Sequence, residues 1–223
     1  MTGGESAIPR FPADVSGDVF EQARSVSRSG LGDVKLRLAV NLLGGEAMTP
    51  KEFMQRTPRT TLGASLSISA PTGQYDPDKL VNIGTNRWAF KPEIGLTIPH
   101  GPWMFDVFAG VWLFSANPDF FGNVHREQDP MPTLQGHVSY TIRRQLWLAL
   151  DGTYYFGGET SANGVPAGDR KENTRVGLTL SLPFAKSHSL KFNVSKGASA
   201  RFGSNFTTYG IGWQHTWFDK PPR

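Results

Sequence analysis

The sequence predicts an all-β protein built as an antiparallel, up-and-down β-barrel. Three observations lead to this fold class. Apolar and polar residues alternate strictly over long segments, the segments are about 10 to 13 residues long, and the connections between them are tight at one end and long at the other. Period-two alternation places one kind of side chain on each face of a strand. No helical segment competes with these strands in length.

The segment 33–42 shows the alternation plainly. Val34, Leu36 and Leu38 share one face, and Lys35 and Arg37 share the other. The same pattern predicts nine strands, at 31–43, 59–70, 87–98, 102–115, 131–141, 145–157, 173–183, 188–197 and 206–218.

A short helix is predicted between the first two strands, around 50–55. Thr49 can cap its first turn, and Pro50 suits the first helical position. Around the strands, the chain divides into a polar lead-in at 1–30, a single barrel domain at 31–218 and a polar tail at 219–223.

Strand length and connection length together favour a transmembrane barrel. A tilted strand needs about 9–11 residues to cross a bilayer, and outer-membrane barrels combine short periplasmic turns with longer extracellular loops. The alternative is a soluble barrel or sandwich with the apolar face inside, because alternation does not say which face is buried. The tight connections are 99–101, 143–144 and 185–187, and the long ones are 73–86, 116–130, 158–172 and 197–205.

The last strand carries a second membrane feature. Tyr209, Ile211, Trp213, His215 and Trp217 share one face of it, which His215 interrupts with a polar ring, and Phe218 follows. This pattern resembles the signal that the outer-membrane insertion machinery reads. Membrane lipid and that machinery are therefore expected partners.

The strand count has a consequence for the N-terminus. Nine is odd, whereas single-chain bacterial barrels have even strand numbers and both termini in the periplasm. The first fifteen residues also lack the basic and apolar regions of a signal peptide. We therefore expect an N-terminally incomplete barrel, with at least one further strand and a signal peptide upstream.

Composition argues against several other classes of function. The chain has no cysteine, which excludes disulfides and thiol catalysis. The net charge is +4 without a basic run, so nucleic-acid binding has little support. No HExxH, GxSxG or P-loop motif occurs, and the five histidines lack metal-ligand spacing. We expect a protein that is not an enzyme and needs no metal or cofactor.

The polar face would line the lumen of the barrel. It carries charges of both signs, so pairing across the lumen is expected. Mutual neutralisation and a direct role in solute passage both remain open for these side chains. The candidates are Asp33, Lys35, Arg37, Asn41, Lys91, Glu93, Asp106, Gln135, His137, Asp151, Arg175, Lys191 and Asn193.

The connection after the second strand has a distinct composition, with turn residues and amide and guanidinium donors. It is expected to pack on itself over or into the barrel, and solute contact is the alternative. Its marked residues are Pro71, Thr72, Gly73, Tyr75, Asn82, Asn86, Arg87 and Trp88.

Aromatic residues suggest two roles. Tryptophans near strand ends, including Trp147, are expected to anchor the barrel at the membrane interface. Trp112 and Phe114 fall on the polar face, where they form an apolar lumen patch or pack against an inserted loop.

Several segments together resemble a known family. They include Gly30-Leu31-Gly32-Asp33, Thr61-Leu62-Gly63-Ala64-Ser65-Leu66, Pro71-Thr72-Gly73-Gln74-Tyr75-Asp76 with Asn82-Ile83-Gly84-Thr85-Asn86-Arg87-Trp88, Lys91-Pro92-Glu93, Gln128-Asp129-Pro130, Gln135-Gly136-His137-Val138-Ser139-Tyr140 and Tyr154-Tyr155-Phe156-Gly157-Gly158. Over roughly 30–218 the chain resembles the meta-pathway phenol-degradation family of Gram-negative bacteria, whose members are also called transporters. The resemblance implies an outer-membrane barrel of about a dozen strands associated with uptake of aromatic compounds.

The expected function is a passive, porin-like channel in the cell outer membrane for small hydrophobic or aromatic solutes. The first alternative is a structural or adhesive barrel whose loops bind a partner. The second is a barrel lipid hydrolase, because His137-Val138-Ser139 has the H-x-S spacing of such enzymes, although alternation turns both residues inward.

Overall fold

The computed structural model describes residues 28–46, 48–185, 187–202 and 206–215. These residues form thirteen strands and one short helix, α1 (Pro50–Gln55). The strands are β1 (Val34–Leu43), β2 (Thr61–Ala70), β3 (Ala89–His100), β4 (Trp103–Phe114), β5 (Asn117–Phe120), β6 (Val124–Gln128), β7 (Met131–Arg143), β8 (Leu146–Gly157), β9 (Thr160–Ala162), β10 (Val165–Pro166), β11 (Lys171–Ala185), β12 (His188–Ala200) and β13 (Thr207–His215).

Nine long strands form one antiparallel sheet in the order β1-β2-β3-β4-β7-β8-β11-β12-β13. Each strand pairs with the next long strand along the chain, which is the up-and-down arrangement. The sheet is open among the described residues, with β1 and β13 at its two ends, so it is part of a barrel wall. All nine predicted strands are confirmed.

Two connections contain structure that the sequence analysis missed. The strands β5 and β6 lie between β4 and β7, and β9 and β10 lie between β8 and β11. Together they form a second, four-stranded sheet in the order β10-β9-β6-β5. Strands of two to five residues are too short to show a period, so these connections were predicted as loops.

The helix α1 forms where it was predicted. The Thr49 hydroxyl accepts a hydrogen bond from the Glu52 backbone amide at 3.3 Å, and the Glu52 carboxylate accepts one from the Thr49 amide at 2.8 Å. This capping box satisfies two amides of the first turn. No described helix combines the length and the apolar character that a membrane crossing requires.

We call the end of the sheet with α1 and the tight connections the turn end, and the opposite end the loop end. The turn end joins β3 to β4, β7 to β8 and β11 to β12 through a few residues each. The loop end carries the longer connections 71–88, 115–130 and 158–170, together with Arg201 and Phe202 after β12. Most of the last strand is described, whereas Trp217, Phe218, the tail at 219–223 and lead-in residues 1–27 lie outside the described residues.

The exposed fractions of the side chains show which face of the sheet is sheltered. Leu150 on the apolar face is 60% exposed, whereas Lys91 on the polar face is only 7% exposed. Ala89 and Ala149 are the only buried hydrophobic residues in the described part of the chain. A flat sheet would expose both faces alike, so this sheet curves towards its polar face. The apolar-inside alternative is therefore wrong.

Aromatic side chains cluster near the strand ends of the apolar face. At the turn end, Trp103 packs edge-on against Tyr140 with ring centres 4.8 Å apart. At the loop end, Trp88 stacks on Phe90. This distribution is typical of interfacial aromatic belts. The prediction that Trp147 anchors the barrel at the membrane interface was wrong, because Trp147 lies opposite Ser181 in register and therefore on the polar face.

If the apolar face contacts lipid, a charge placed there should destabilise the barrel. Leu150 lies near the middle of β8, and Leu150→Arg should cost about 2–4 kcal/mol of unfolding free energy in a bilayer. Gln135→Arg on the polar face is the matched control and should cost less than half as much. Urea unfolding in vesicles measures both. An equal or larger loss at Gln135 would contradict the assignment of the faces.

Candidate functional site

The polar face of the sheet carries a first charge cluster on β1 and β3. The Arg37 guanidinium lies 3.0 Å from one Glu93 carboxylate oxygen, and Lys91 contacts the other. Arg37 also donates to the Ser65 hydroxyl at 3.1 Å. The side chains of Lys91 and Glu93 are almost fully buried. One carboxylate thus neutralises two cations, and the cluster keeps a net positive charge.

A second cluster crosses β4, β7 and β8. Asp106, His137 and Asp151 are aligned in register on these adjacent strands. The Thr97 hydroxyl donates to Asp106 at 2.5 Å, His137 Nδ1 lies 2.5 Å from Asp151, and the Thr179 hydroxyl donates to Asp151 at 3.1 Å. Two carboxylates flank one imidazole here, so this part of the face is acidic.

Two further cations on the polar face, Arg175 and Lys191, lie against aromatic rings, and so does Lys91 of the first cluster. Arg175 donates to the Ser195 hydroxyl at 3.1 Å and lies 4.2 Å from the centre of the Phe206 ring. Lys191 lies 5.4 Å from the Trp147 ring, and Lys91 lies 5.9 Å from the Trp112 ring. Cation–π contact stabilises a charge that has little water around it. The polar face therefore also contains apolar ring surface.

The structure does not gather all predicted lumen residues into one site. Gln135 lies opposite Phe108 in register, two residues before His137 on the same strand, and Asn193 lies between Thr179 and Gly210 in register. Asn41 donates a long 3.5 Å hydrogen bond to the Gly45 carbonyl. Lys35 lines a cavity of about 350 Å³ with Trp112 and Phe114 among its other walls. No buried side-chain nitrogen or oxygen within the described ranges lacks a hydrogen-bond partner.

Asp33 has a different role from the other candidates, because it lies just before β1 and binds the 71–88 connection. Its carboxylate accepts hydrogen bonds from the Gly73 amide at 2.9 Å, the Thr85 amide at 3.0 Å and the Thr85 hydroxyl at 2.6 Å. Burial by itself would raise the pKa of Asp33. The hydrogen bonds from Thr85 and Gly73 and the charge of Lys35 outweigh it, so the pKa lies below its ordinary value of 3.8.

The 71–88 connection, which begins at Pro71, packs on itself as well. Asn82 accepts from the Asp76 amide at 2.8 Å and donates to the Lys79 carbonyl at 2.7 Å. The backbone at Gly73 and the backbone at Gly84 approach each other closely, because a Cβ atom added to Gly84 would lie 2.7 Å from the backbone of Gly73. At the start of the connection, the Thr72 hydroxyl accepts from the Val34 amide at 2.9 Å.

Asn117, which the sequence analysis did not single out, joins this connection to the second sheet. Its side chain is buried and donates to the Tyr75 hydroxyl at 3.0 Å and the Thr85 carbonyl at 3.3 Å. Its side-chain oxygen also accepts a hydrogen bond from the side-chain nitrogen of Asn86 at 2.9 Å. The central role of Asn117 depends on three distant segments, so no local pattern reveals it.

Arg87 lies in the same region. Its guanidinium donates to Gln128 at 2.6 Å and lies 4.4 Å from the centre of the Phe114 ring. Burial lowers the pKa of Arg87 to about 10, and the nearby positive charge of Arg126 adds to the shift. Trp88 follows with its ring on the apolar face, and its amide donates to the Ser115 hydroxyl at 3.0 Å.

The loop end also contains a large apolar cavity of about 740 Å³. Its wall comes from the second sheet, the 71–88 connection and the segment after β12. Sequence analysis missed these residues, and the one available signal was the Phe120-Phe121 pair within a predicted loop. The apolar residues of the wall are Leu80, Phe120, Phe121, Val124, Ala162, Ala167 and Phe202.

The H-x-S pair does not reach the apolar face. His137 lies in register with Asp106 and Asp151, and Ser139 pairs with the buried Ala149. Both side chains are thus on the polar face, as alternation predicted. In the described part of the chain, no group of three metal-ligating side chains could hold a metal ion.

Comparison with known proteins adds two findings. The family described as "Putative MetA-pathway of phenol degradation" matches residues 2–214. Among solved structures, the chain is similar to an outer-membrane channel from Pseudomonas putida F1, with a TM-score of 0.72 and 24% identity over 84% of this chain and 67% of that chain. At this identity the likeness concerns the fold. None of the curated proteins compared with the chain matches it.

The Asp33 contacts should make the 71–88 connection sensitive to acid. Because the folded-state pKa of Asp33 is lowered, its carboxylate contributes fully to the stability of the 71–88 connection above pH 3.8. This contribution is lost as the pH falls through the folded-state pKa. The protection factors of the Gly73 and Thr85 amides, which are corrected for the intrinsic exchange rate at each pH, should therefore fall as the pH drops below 3.8. Asp33→Asn should exchange faster at pH 7 and lose this pH dependence. Unchanged protection in Asp33→Asn at pH 7 would contradict the role of the carboxylate.

Proposed function

The chain belongs to the phenol-degradation family that matches residues 2–214, and on this basis we propose that it is a passive channel of the Gram-negative outer membrane for small hydrophobic or aromatic solutes. The family supports the link to phenol degradation. The likeness to the fold of an outer-membrane channel supports the barrel. The choice of solute is our own inference and depends on the side chains described above.

One observation carries the proposal: the apolar face of the sheet is exposed, and the polar face is sheltered. In water this arrangement would be strongly unfavourable, because apolar area would remain hydrated. In a bilayer it becomes favourable, since lipid covers the apolar face and the paired strands satisfy the backbone. Tyr209, Ile211 and Trp213 of β13 lie on that exposed face. Lipid and the insertion machinery are thus the proposed partners of this strand.

The polar face supports passage of aromatic solutes in particular. Trp112 and Phe114 stack on each other at this face near the loop end, and Phe108 packs edge-on against His137 further along β4. An aromatic solute can exchange contacts with these rings as it moves, at an energy of about 0.5–1.5 kcal/mol per ring pair. The two charge clusters remain bound to their own partners, so an uncharged solute need not displace them.

A structural or adhesive barrel remains the second candidate, because the loop end is ordered into its own sheet. An exposed sheet with fixed side chains can serve as a binding surface. The two candidates differ in flux: a channel passes solutes across a bilayer, and a purely structural barrel does not.

The orientation of the barrel in the membrane follows from the length of its connections, since long connections lie outside the cell in barrels of this kind.

Flux through vesicles tests the proposal directly. The full-length protein in liposomes should admit a small aromatic solute such as phenol faster than empty vesicles do. Trp112→Ala should slow this entry about two- to tenfold, because it removes one ring contact, while leaving the conductance of small ions undiminished. Trp103→Ala on the apolar face is the control and should not alter the entry rate. Entry no faster than into empty vesicles would overturn the channel proposal.

The ion selectivity of the channel should respond to the first charge cluster. Glu93→Gln removes the one carboxylate between Arg37 and Lys91. The reversal potential in a salt gradient should therefore shift towards the equilibrium potential of the anion. Glu127→Gln is a matched control, since Glu127 is exposed at the loop end and lies 3.7 Å from His125. An identical reversal potential in the wild type and Glu93→Gln would show that this cluster does not face the ion path.

A further inference from the structure

Two guanidinium groups lie near each other at the loop end, and one of them, that of Arg126, belongs to the wall of the large apolar cavity. The Arg126 guanidinium lies 4.4 Å from the centre of the Phe120 ring, and the Arg87 guanidinium lies 4.4 Å from the centre of the Phe114 ring. Across residues 28–46, 48–185, 187–202 and 206–215, neither guanidinium forms a salt bridge with a carboxylate. The loop end therefore holds two neighbouring positive charges that an anion could neutralise.

These arginines lie where two cavities meet. Leu80, Phe120 and Arg126 belong to the walls of both the 740 Å³ apolar cavity and a smaller cavity of about 160 Å³. The smaller cavity is more polar, and its wall includes Arg87 and Asn117. A ligand that extends from one cavity towards the other would thus contact aromatic carbon at one end and guanidinium nitrogen at the other.

A carboxylate already present in the apolar cavity does not neutralise the arginines. Asp169 belongs to the cavity wall, but its oxygens accept hydrogen bonds from the Thr160 amide at 2.6 Å and the Thr160 hydroxyl at 2.9 Å. Lys171 lies 3.9 Å from the same carboxylate. The charge of Asp169 is therefore compensated locally.

The lowered pKa of Arg87 is consistent with an excess of positive charge at this site. Its causes are burial and repulsion by Arg126, and no carboxylate offsets them. Two like charges in a partly desolvated site raise the free energy of the protein, and a bound anion between them would lower it.

We propose that this junction binds an aromatic carboxylate, with its ring in the apolar cavity beside Phe120 and its carboxylate on Arg126 next to Arg87. The planar guanidinium fork matches a carboxylate in a bidentate geometry. The cavity volume lies within the usual range of about 300–1,000 Å³ for small-molecule sites. This inference rests on the proposed function and narrows its solute class, because a neutral phenol or hydrocarbon would contact only the apolar part.

Benzoate and benzyl alcohol form the matched pair of probes, since they share the ring and differ in charge. The full-length protein in detergent should bind benzoate more tightly than benzyl alcohol in calorimetric titration. Arg126→Gln should weaken benzoate binding about tenfold and change benzyl alcohol binding less than about twofold. Arg87→Gln should act in the same direction. Arg59→Gln at the exposed turn end is the control and should change neither.

A second variant tests the apolar half of the site. Ala162 belongs to the cavity wall opposite Arg126 in register, and Ala162→Phe should weaken both probes by filling the cavity. Heat-resistant migration on gels confirms that each variant is folded. Equal losses of both probes in Arg126→Gln, or wild-type benzoate binding in Ala162→Phe, would overturn the proposal.

Flux measurements separate this proposal from the proposed function. If vesicles admit neutral aromatics but the protein does not bind benzoate, the carboxylate site is wrong and the channel stands. If the protein binds benzoate as expected but vesicles admit no aromatic solute, the site stands and the channel is wrong.

Discussion

The pairing of backbone groups between adjacent strands is the interaction on which the rest of this structure depends. A soluble domain gains most of its stability from a buried apolar core, but here Ala89 and Ala149 alone are buried hydrophobic residues in the described part of the chain. The long antiparallel registers replace that core, since each strand satisfies the amides and carbonyls of its neighbour. Lipid on the apolar face then supplies the favourable burial that the protein interior lacks.

This constraint explains the chemistry of the sheltered face. Side chains there have less water than surface residues, so charges need partners. Glu93 holds Arg37 and Lys91 together, Asp151 holds His137, and rings of Trp112 and Trp147 lie next to lysines. A wall built in this way combines neutralised charge with aromatic surface, which is the combination that our proposal for aromatic solutes uses.

The loop end follows a different principle, because its segments lie beyond the long strands and form their own packing. Asn117, Asp33 and Asn82 supply side-chain hydrogen bonds where backbone ladders end. Such bonds fix the 71–88 connection against the second sheet and leave an apolar cavity between elements that belong to no single strand. Arg87 and Arg126 lie near each other at this end, and neither forms a salt bridge with a carboxylate in the described part of the chain.

The sequence by itself determined the strands and their faces. Alternation is a local property, so the nine long strands, the α1 helix and the polar face all followed from residues close together in the chain. Tertiary structure alone decided which face is sheltered, which charges pair and how the loop end folds. Arg37 and Glu93 are 56 residues apart and are brought together by strand register, whereas Asn86 and Asn117 are 31 apart and meet where the 71–88 connection packs on β5. Short strands such as β9 carry no period. Trp147 shows that a position near a strand end does not place a side chain on the lipid face, because alternation puts Trp147 on the same face as Asp151.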